Sequence, residues 1–185
     1  MDEINKLRIF NRLKSVYRSN SVNNRKESSA EHSWSCLILA DFFLSKFPRP
    51  IDKIKVYELL MYHDVVEIEA GDTPLDPNLV SSDQKEREER ATELLQTMLP
   101  HPLNDRLLKL FNEFIKQETV ESRFAKAIDV LDAEIHELDY KEDWKGWSEK
   151  FLVEKKAHFF EEFPELKRTF ETILKYLIQN NYFDN

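Results

Sequence analysis

Apolar and polar positions alternate with a helical repeat along most of the chain. Ile4, Leu7, Ile9 or Phe10, and Leu13 recur on one side of an amphipathic helix expected from Ile4 to Val16. Tyr17 to Glu27 breaks that repeat (Arg18-Ser19-Asn20-Ser21-Val22-Asn23-Asn24-Arg25-Lys26) and reads as a polar connection. Ser28 and Glu31 stand at capping-box spacing, so a helix starts there. It is apolar nearly all round through Trp34, Cys36, Leu37, Ile38, Leu39, Phe42 and Phe43, and is expected to be buried as far as Phe47, with Pro48 and Pro50 ending it. A second apolar helix is expected over Ile54 to Glu69, capped by Gly71 and blocked by Pro74. Leu75 to Val80 reads as loop. Ser81 to Met98 reads as a helix that starts with the charge run Lys85 to Arg90, a solvated face. Leu103 to Lys116 is amphipathic through Leu107, Leu110, Phe111 and Phe114. Ser122 to Tyr140 is strongly apolar through Phe124, Ala127, Ile128, Leu131, Ile135 and Leu138. Two further helices follow, Ser148 to Glu162 and one after Pro164. The pattern predicts an all-α, single-domain helical bundle over residues 1–185, with about eight helices and no repeat or linker.

Composition agrees with that picture and narrows the function. A hydrophobic fraction of 41% with 13 Phe, 6 Tyr and 3 Trp supports an aromatic core, and only 2 Gly argue against many hairpins. The net charge of −8 disfavours non-specific binding to nucleic acid, which depends on cations against phosphates. No apolar run is long enough for a membrane span; the longest, Cys36 to Leu44, is broken by Asp41. One cysteine, Cys36, excludes an intrachain disulfide, fits a reducing compartment and reads as a buried, inert thiol. With an acidic N-terminus lacking a signal-peptide pattern, a cytoplasmic location is expected.

Three of the apolar helices carry groups that a core does not need. They supply His32, then His63-Asp64, then Asp129. Ionised side chains are costly to bury unless paired or bound to a metal. Glu67 lies one helical turn from His63, so His63, Asp64 and Glu67 are expected to crowd one face. Two imidazoles and two carboxylates suit one divalent ion such as Mn, Co, Fe, Ni or Zn better than Ca.

These residues carry a resemblance. Arg25-Lys26-Glu27-Ser28-Ser29-Ala30-Glu31-His32, His63-Asp64-Val65-Val66-Glu67 with Gly71-Asp72-Thr73-Pro74, and Ala127-Ile128-Asp129-Val130-Leu131-Asp132 are similar to the HD-domain metal-dependent phosphohydrolases, and most to their 5′-deoxynucleotidases. The resemblance covers residues 5–140, leaving 141–185 as a helical C-terminal extension of the HD-type bundle. It departs at Val130, where many relatives carry a basic residue. The resemblance implies that His32, His63, Asp64 and Asp129 hold one divalent metal. It implies that Glu67 and Asp72 act as catalytic groups beside the metal, and that Arg25 binds the substrate phosphate. The implied substrate is a (deoxy)nucleoside monophosphate, and a homodimer is implied as well. The aromatic tail with Trp144 or Trp147 is a candidate for the dimer contact. Missing His ligands beside the His-Asp pair argue against a two-metal site. Asp132 and His136, one and two turns beyond Asp129, are candidates to orient the ligands, although Asp132 also suits a surface or cap position and His136 a place at the bundle edge. Competing readings are hydrolysis of an alarmone or cyclic nucleotide, and a metal-stabilised nucleotide-binding protein without turnover.

Overall fold

Ser28 starts the central helix as the sequence predicts. Its hydroxyl accepts from the Glu31 amide at 3.3 Å, while the Ser28 amide donates to Glu31 Oε2 at 2.9 Å. This reciprocal cap satisfies two amides at a helix start and contributes about 1 kcal/mol. The coordinates are a computed structural model that describes residues 1–77 and 83–183. In order, the elements are α1 (Asp2–Leu7), a 3₁₀ segment (Arg8–Ser15), β1 (Tyr17–Val22), β2 (Arg25–Ser28), α2 (Ser29–Leu44), α3 (Lys53–Tyr62), α4 (Glu67–Ala70), α5 (Gln84–Met98), α6 (Leu103–Lys116) and α7 (Val120–His136). After α7 come 3₁₀ turns at Glu137–Asp139 and Lys141–Trp144, then α8 (Glu149–Lys156), a 3₁₀ turn at Ala157–Phe160 and α9 (Pro164–Gln179). The helix α7 lies at the centre and packs against α2, α3, α6 and α9. Cys36, Leu59, Leu60, Ile128 and Leu131, all 0% exposed, fill the space between these helices.

The helical class holds, with local differences. The expected first helix divides into α1 and the 3₁₀ segment. The polar connection after it is an antiparallel hairpin, with Val22 opposite Arg25 and Tyr17 opposite Ser28. Asn23 turns the chain at φ +51°, a left-handed conformation that Asn tolerates. The Ile54 to Glu69 helix is interrupted. The ring of His63 donates from Nδ1 to the Leu60 carbonyl at 2.7 Å, taking the acceptor that a continuing helix offers to the Asp64 amide. The chain then tightens into i→i+3 bonds, Val65 N–H to Tyr62 O and Glu67 N–H to Asp64 O, before α4. Gly71 ends α4 at φ +75°. The expected loop to Val80 and the helix start at Ser81 fall partly outside the described residues.

Two burial expectations are corrected. The helix α2 keeps one apolar edge in solvent: Trp34, Ile38 and Phe42, spaced one turn apart, are 67, 57 and 53% exposed. A sequence apolar on every side of a helix does not say which side meets the core. Trp144 and Trp147, offered as a contact between copies, are instead buried within the chain, packed on each other and on Tyr182, Phe183 and Phe151. No helix among the described residues is long and apolar enough to cross a membrane.

Candidate metal centre and cavity

The i→i+3 turn after α3 decides where the His-Asp pair points. Residues three apart eclipse in such a turn, so Asp64 and Glu67 stand on one side. His63 is only 4% exposed. With Nδ1 committed to Leu60, its Nε2 faces His32 and Asp129 and has no hydrogen-bond partner among the described residues. Nε2 lies 3.1 Å from Asp64 Oδ1 and 3.8 Å from Asp129 Oδ1. His32, in the second turn of α2, points its Nε2 at Asp129 Oδ1, 2.9 Å away. Its Nδ1 meets Asp132 Oδ2 at 3.0 Å, and Ser35 Oγ donates to the other oxygen of Asp132 at 2.6 Å. Asp132 therefore fixes the ring orientation of His32 and leaves Nε2 for the centre.

His32, Cys36, His63 and Asp129 each bring a donor atom within 4.8 Å of the others. Asp64 stands at the flank of this group, and its buried Oδ2 makes no hydrogen bond. Two buried polar atoms without a hydrogen bond among the described residues, His63 Nε2 and Asp64 Oδ2, suit a site for a divalent cation, as does the donor set. Cys36 sits behind His32, with Sγ 3.5 Å from Nε2. Burial pushes its thiol up to about 12. Its approach to the centre is absent from the sequence reading; the i, i+4 spacing from His32 is the signal that could have shown it.

The charge states divide by surroundings. Burial alone raises the Asp129 carboxyl, but Lys126, His32 and His63 outweigh it and hold that carboxyl well below the usual range. Lys126 Nζ donates to Asp129 Oδ2 at 2.8 Å. Glu67 behaves oppositely: burial, with Asp64 beside it, pushes its carboxyl up to about 9. Ser29 Oγ donates to Glu67 Oε2 at 2.6 Å. Burial also raises Asp72. A carboxyl raised by folding holds its proton in the folded chain after the unfolded chain has lost it. Stability therefore falls as pH rises from about 4.5, the ordinary value, towards 9, and levels off above. In chelator, Glu67→Gln is expected to melt higher than wild type at pH 8 and to match it at pH 4. Thermal unfolding at the two pH values checks this.

The centre forms one wall of a cavity of about 510 Å³. His63, Asp64, Glu67, Asp72, Lys126 and Asp129 line it. Arg25 does not. Its guanidinium lies on the outer face of the hairpin, half exposed and bonded to both oxygens of Glu31, so it braces the start of α2. Arg18 from β1 lines the cavity instead. Its Nη1 lies 3.7 Å from Asp64 Oδ2 and its Nε 3.4 Å from Glu27 Oε2, and surrounding carboxylates keep it charged although burial opposes this. Sequence reading passed over Arg18 because it lies in a polar stretch that looks like loop; strand pairing turns it inward. His136 donates from Nε2 to the Ser21 carbonyl at 2.7 Å and stacks on Tyr140, tying α7 to the hairpin away from the ligands.

Comparison with known proteins agrees with this geometry. The HD domain family model matches residues 10–167. Human 5′-deoxynucleotidase HDDC2 is 27% identical over 139 residues, which are 74% of this chain and 67% of that protein. Its Xenopus laevis counterpart is 25% identical over the same length, covering 74% and 68%. The crystal structure of a predicted metal-dependent phosphohydrolase from Magnetospirillum magnetotacticum MS-1 superposes with a TM-score of 0.88 at 25% identity, covering 100% of this chain and 95% of the other. Matched by that family model over most of its length, the chain belongs to the HD-domain family.

Proposed function

We propose that the chain is a metal-dependent phosphohydrolase that removes the 5′-phosphate of nucleoside monophosphates, 2′-deoxyribonucleotides above all. One observation carries the reading: the Nε2 of buried His63, with no hydrogen bond among the described residues, faces His32, Asp64 and Asp129 on the wall of a cavity that also holds Arg18. The 5′-deoxynucleotidases at 25 and 27% identity support the substrate class.

His32, His63, Asp64 and Asp129 would hold one divalent ion of the Mn, Co, Fe, Ni or Zn type. Such an ion, when bound, polarises phosphoryl oxygens and lowers the pKa of water. The chain's own groups supply the rest. Arg18 offers guanidinium donors to the phosphate oxygens and neutralises charge that develops on them. Glu67, whose carboxyl burial raises, is placed to give a proton to the leaving 5′-oxygen, with Asp72 beside it to position water. Water adds to phosphorus, the bond from phosphorus to the 5′-oxygen breaks, and that oxygen takes the proton. The products are the nucleoside and inorganic phosphate. A homodimer and a cytoplasmic location belong to the same proposal, with the exposed Trp34, Ile38 and Phe42 edge of α2 available for the contact.

The test is a panel of 5′-deoxynucleotides, 5′-ribonucleotides, 3′-nucleotides, guanosine polyphosphates and cyclic nucleotides. Phosphate release is expected to be fastest from the 5′-deoxynucleotides. Preference for a polyphosphate or cyclic ester would replace the substrate. Tight nucleotide binding without turnover of any of them would leave a binding protein.

A further inference from the structure

The cavity extends along α7 beyond the metal centre. Asp129, Ala133 and Glu137 lie on one line, one turn apart, and all three line it. At about 1.5 Å per residue, eight residues separate Asp129 from Glu137 by about 12 Å. That is the span of one nucleoside monophosphate laid out from its phosphate to the far edge of its base. The small side chain of Ala133 leaves the floor between the two ends open.

Glu137 is fixed at the far end. Asn20 Nδ2 from β1 donates to Glu137 Oε1 at 2.7 Å, and the indole N–H of Trp144 donates to the Glu137 carbonyl at 3.0 Å. Among the described residues no donor reaches Glu137 Oε2. Trp147, otherwise packed on Trp144 and Phe151, lines the same end with its remaining edge. The extension after Tyr140 builds this end, anchored to the hairpin where the Ser21 amide and hydroxyl donate to Asp143 at 2.7 and 2.9 Å. A further phosphate group is disfavoured here. Asp143 would repel it, while Lys156 is bound to Glu134, Lys145 to Glu142, and the exposed Lys155 lies over the Phe151 ring. A flat ring with a polar edge meets both the aromatic edge and the carboxyl.

We propose that Glu137, held by Asn20, is a specificity-determining residue that binds the polar edge of the substrate's nucleobase, with Trp147 flanking the ring. The inference rests on the phosphohydrolase reading and assigns the nucleoside end of that site. Burial, with Glu134 nearby, pushes the Glu137 carboxyl up to about 8, so near neutral pH it offers a donor as well as an acceptor to that edge.

The experiment compares kcat/KM for 2′-deoxynucleoside 5′-monophosphates with that for deoxyribose 5-phosphate, which lacks the base. In Glu137→Ala the ratio of nucleotide to deoxyribose phosphate is expected to fall about tenfold, the worth of one hydrogen bond in a desolvated site. Glu137→Gln is expected to recover part of it. A ratio that moves less than about twofold in Glu137→Ala overturns the proposal, as does a wild type with no preference for the nucleotide; both leave the phosphohydrolase reading standing. If Glu137→Ala does not fold, Asn20→Ala is read by the same ratio. If the wild type hydrolyses neither ester, the phosphohydrolase reading fails. Calorimetric binding of the nucleotide then decides the inference, and affinity unchanged by Glu137→Ala overturns it.

Discussion

Asp129→Ala is expected to abolish both metal binding and phosphate release, with kcat/KM lowered at least about a thousandfold. Asp129 is the hub of the centre. Its Oδ1 faces His32 at 2.9 Å and His63 at 3.8 Å, and its Oδ2 accepts from Lys126. Removing it takes away a ligand and leaves Lys126 without its counter-charge, its ammonium over the Phe114 ring. Asp129→Asn keeps the shape and a hydrogen-bonding oxygen, so it separates loss of charge from loss of packing. Metal content per chain and phosphate release, measured on both variants beside their melting curves, check the result. A folded Asp129→Ala protein that keeps one tightly bound ion and full turnover would remove Asp129 from the centre.

Arg18→Gln carries the second largest expected effect. A charge-assisted hydrogen bond contributes about 1.5–3 kcal/mol, so losing the guanidinium from the phosphate should lower kcat/KM by about tenfold to a hundredfold. Most of it should appear as a raised KM for a dianionic ester, because the role proposed for Arg18 is to meet charge already present in the bound substrate. The metal should still bind, since Arg18 contacts Asp64 only across 3.7 Å. Arg25→Ala is the matched control, because Arg25 points outside the cavity and pairs with Glu31; its kcat/KM should stay within about twofold of wild type. Steady-state kinetics on one nucleotide check both. The reverse order, Arg25→Ala impaired and Arg18→Gln normal, would return the phosphate to the outer face of the hairpin.

That exchange of arginines shows what the sequence could and could not disclose. The capping box at Ser28 and Glu31, the stop at Gly71 and the bounds of α6 were legible because each depends on neighbours within a few residues. That His32, His63 and Asp129 belong together was legible because buried charge on apolar helices is costly and so needs a reason. The hairpin was not. Its residues are polar, its turn rests on one left-handed Asn, and the strand that turns Arg18 inward is paired across a bulge. The break at His63 was equally hidden, since it follows from a ring nitrogen taking a backbone carbonyl. Cys36 and Glu137 reach the cavity or the centre through packing between distant segments, and the two tryptophans of the extension read as surface until the chain folds over them. Asp132 lay between these cases: its spacing from Asp129 suggested a supporting role, and its bond to His32 supplies the reason.

The most direct measurement is phosphate release from a 2′-deoxynucleoside 5′-monophosphate by protein freed of metal with a chelator, before and after adding back one divalent ion per chain. No release is expected from the metal-free protein and full recovery with Mn, Co, Fe, Ni or Zn, with no recovery when His63 is replaced by Ala. Undiminished release from the metal-free protein, or full recovery in His63→Ala, would contradict a reaction centred on His32, His63, Asp64 and Asp129.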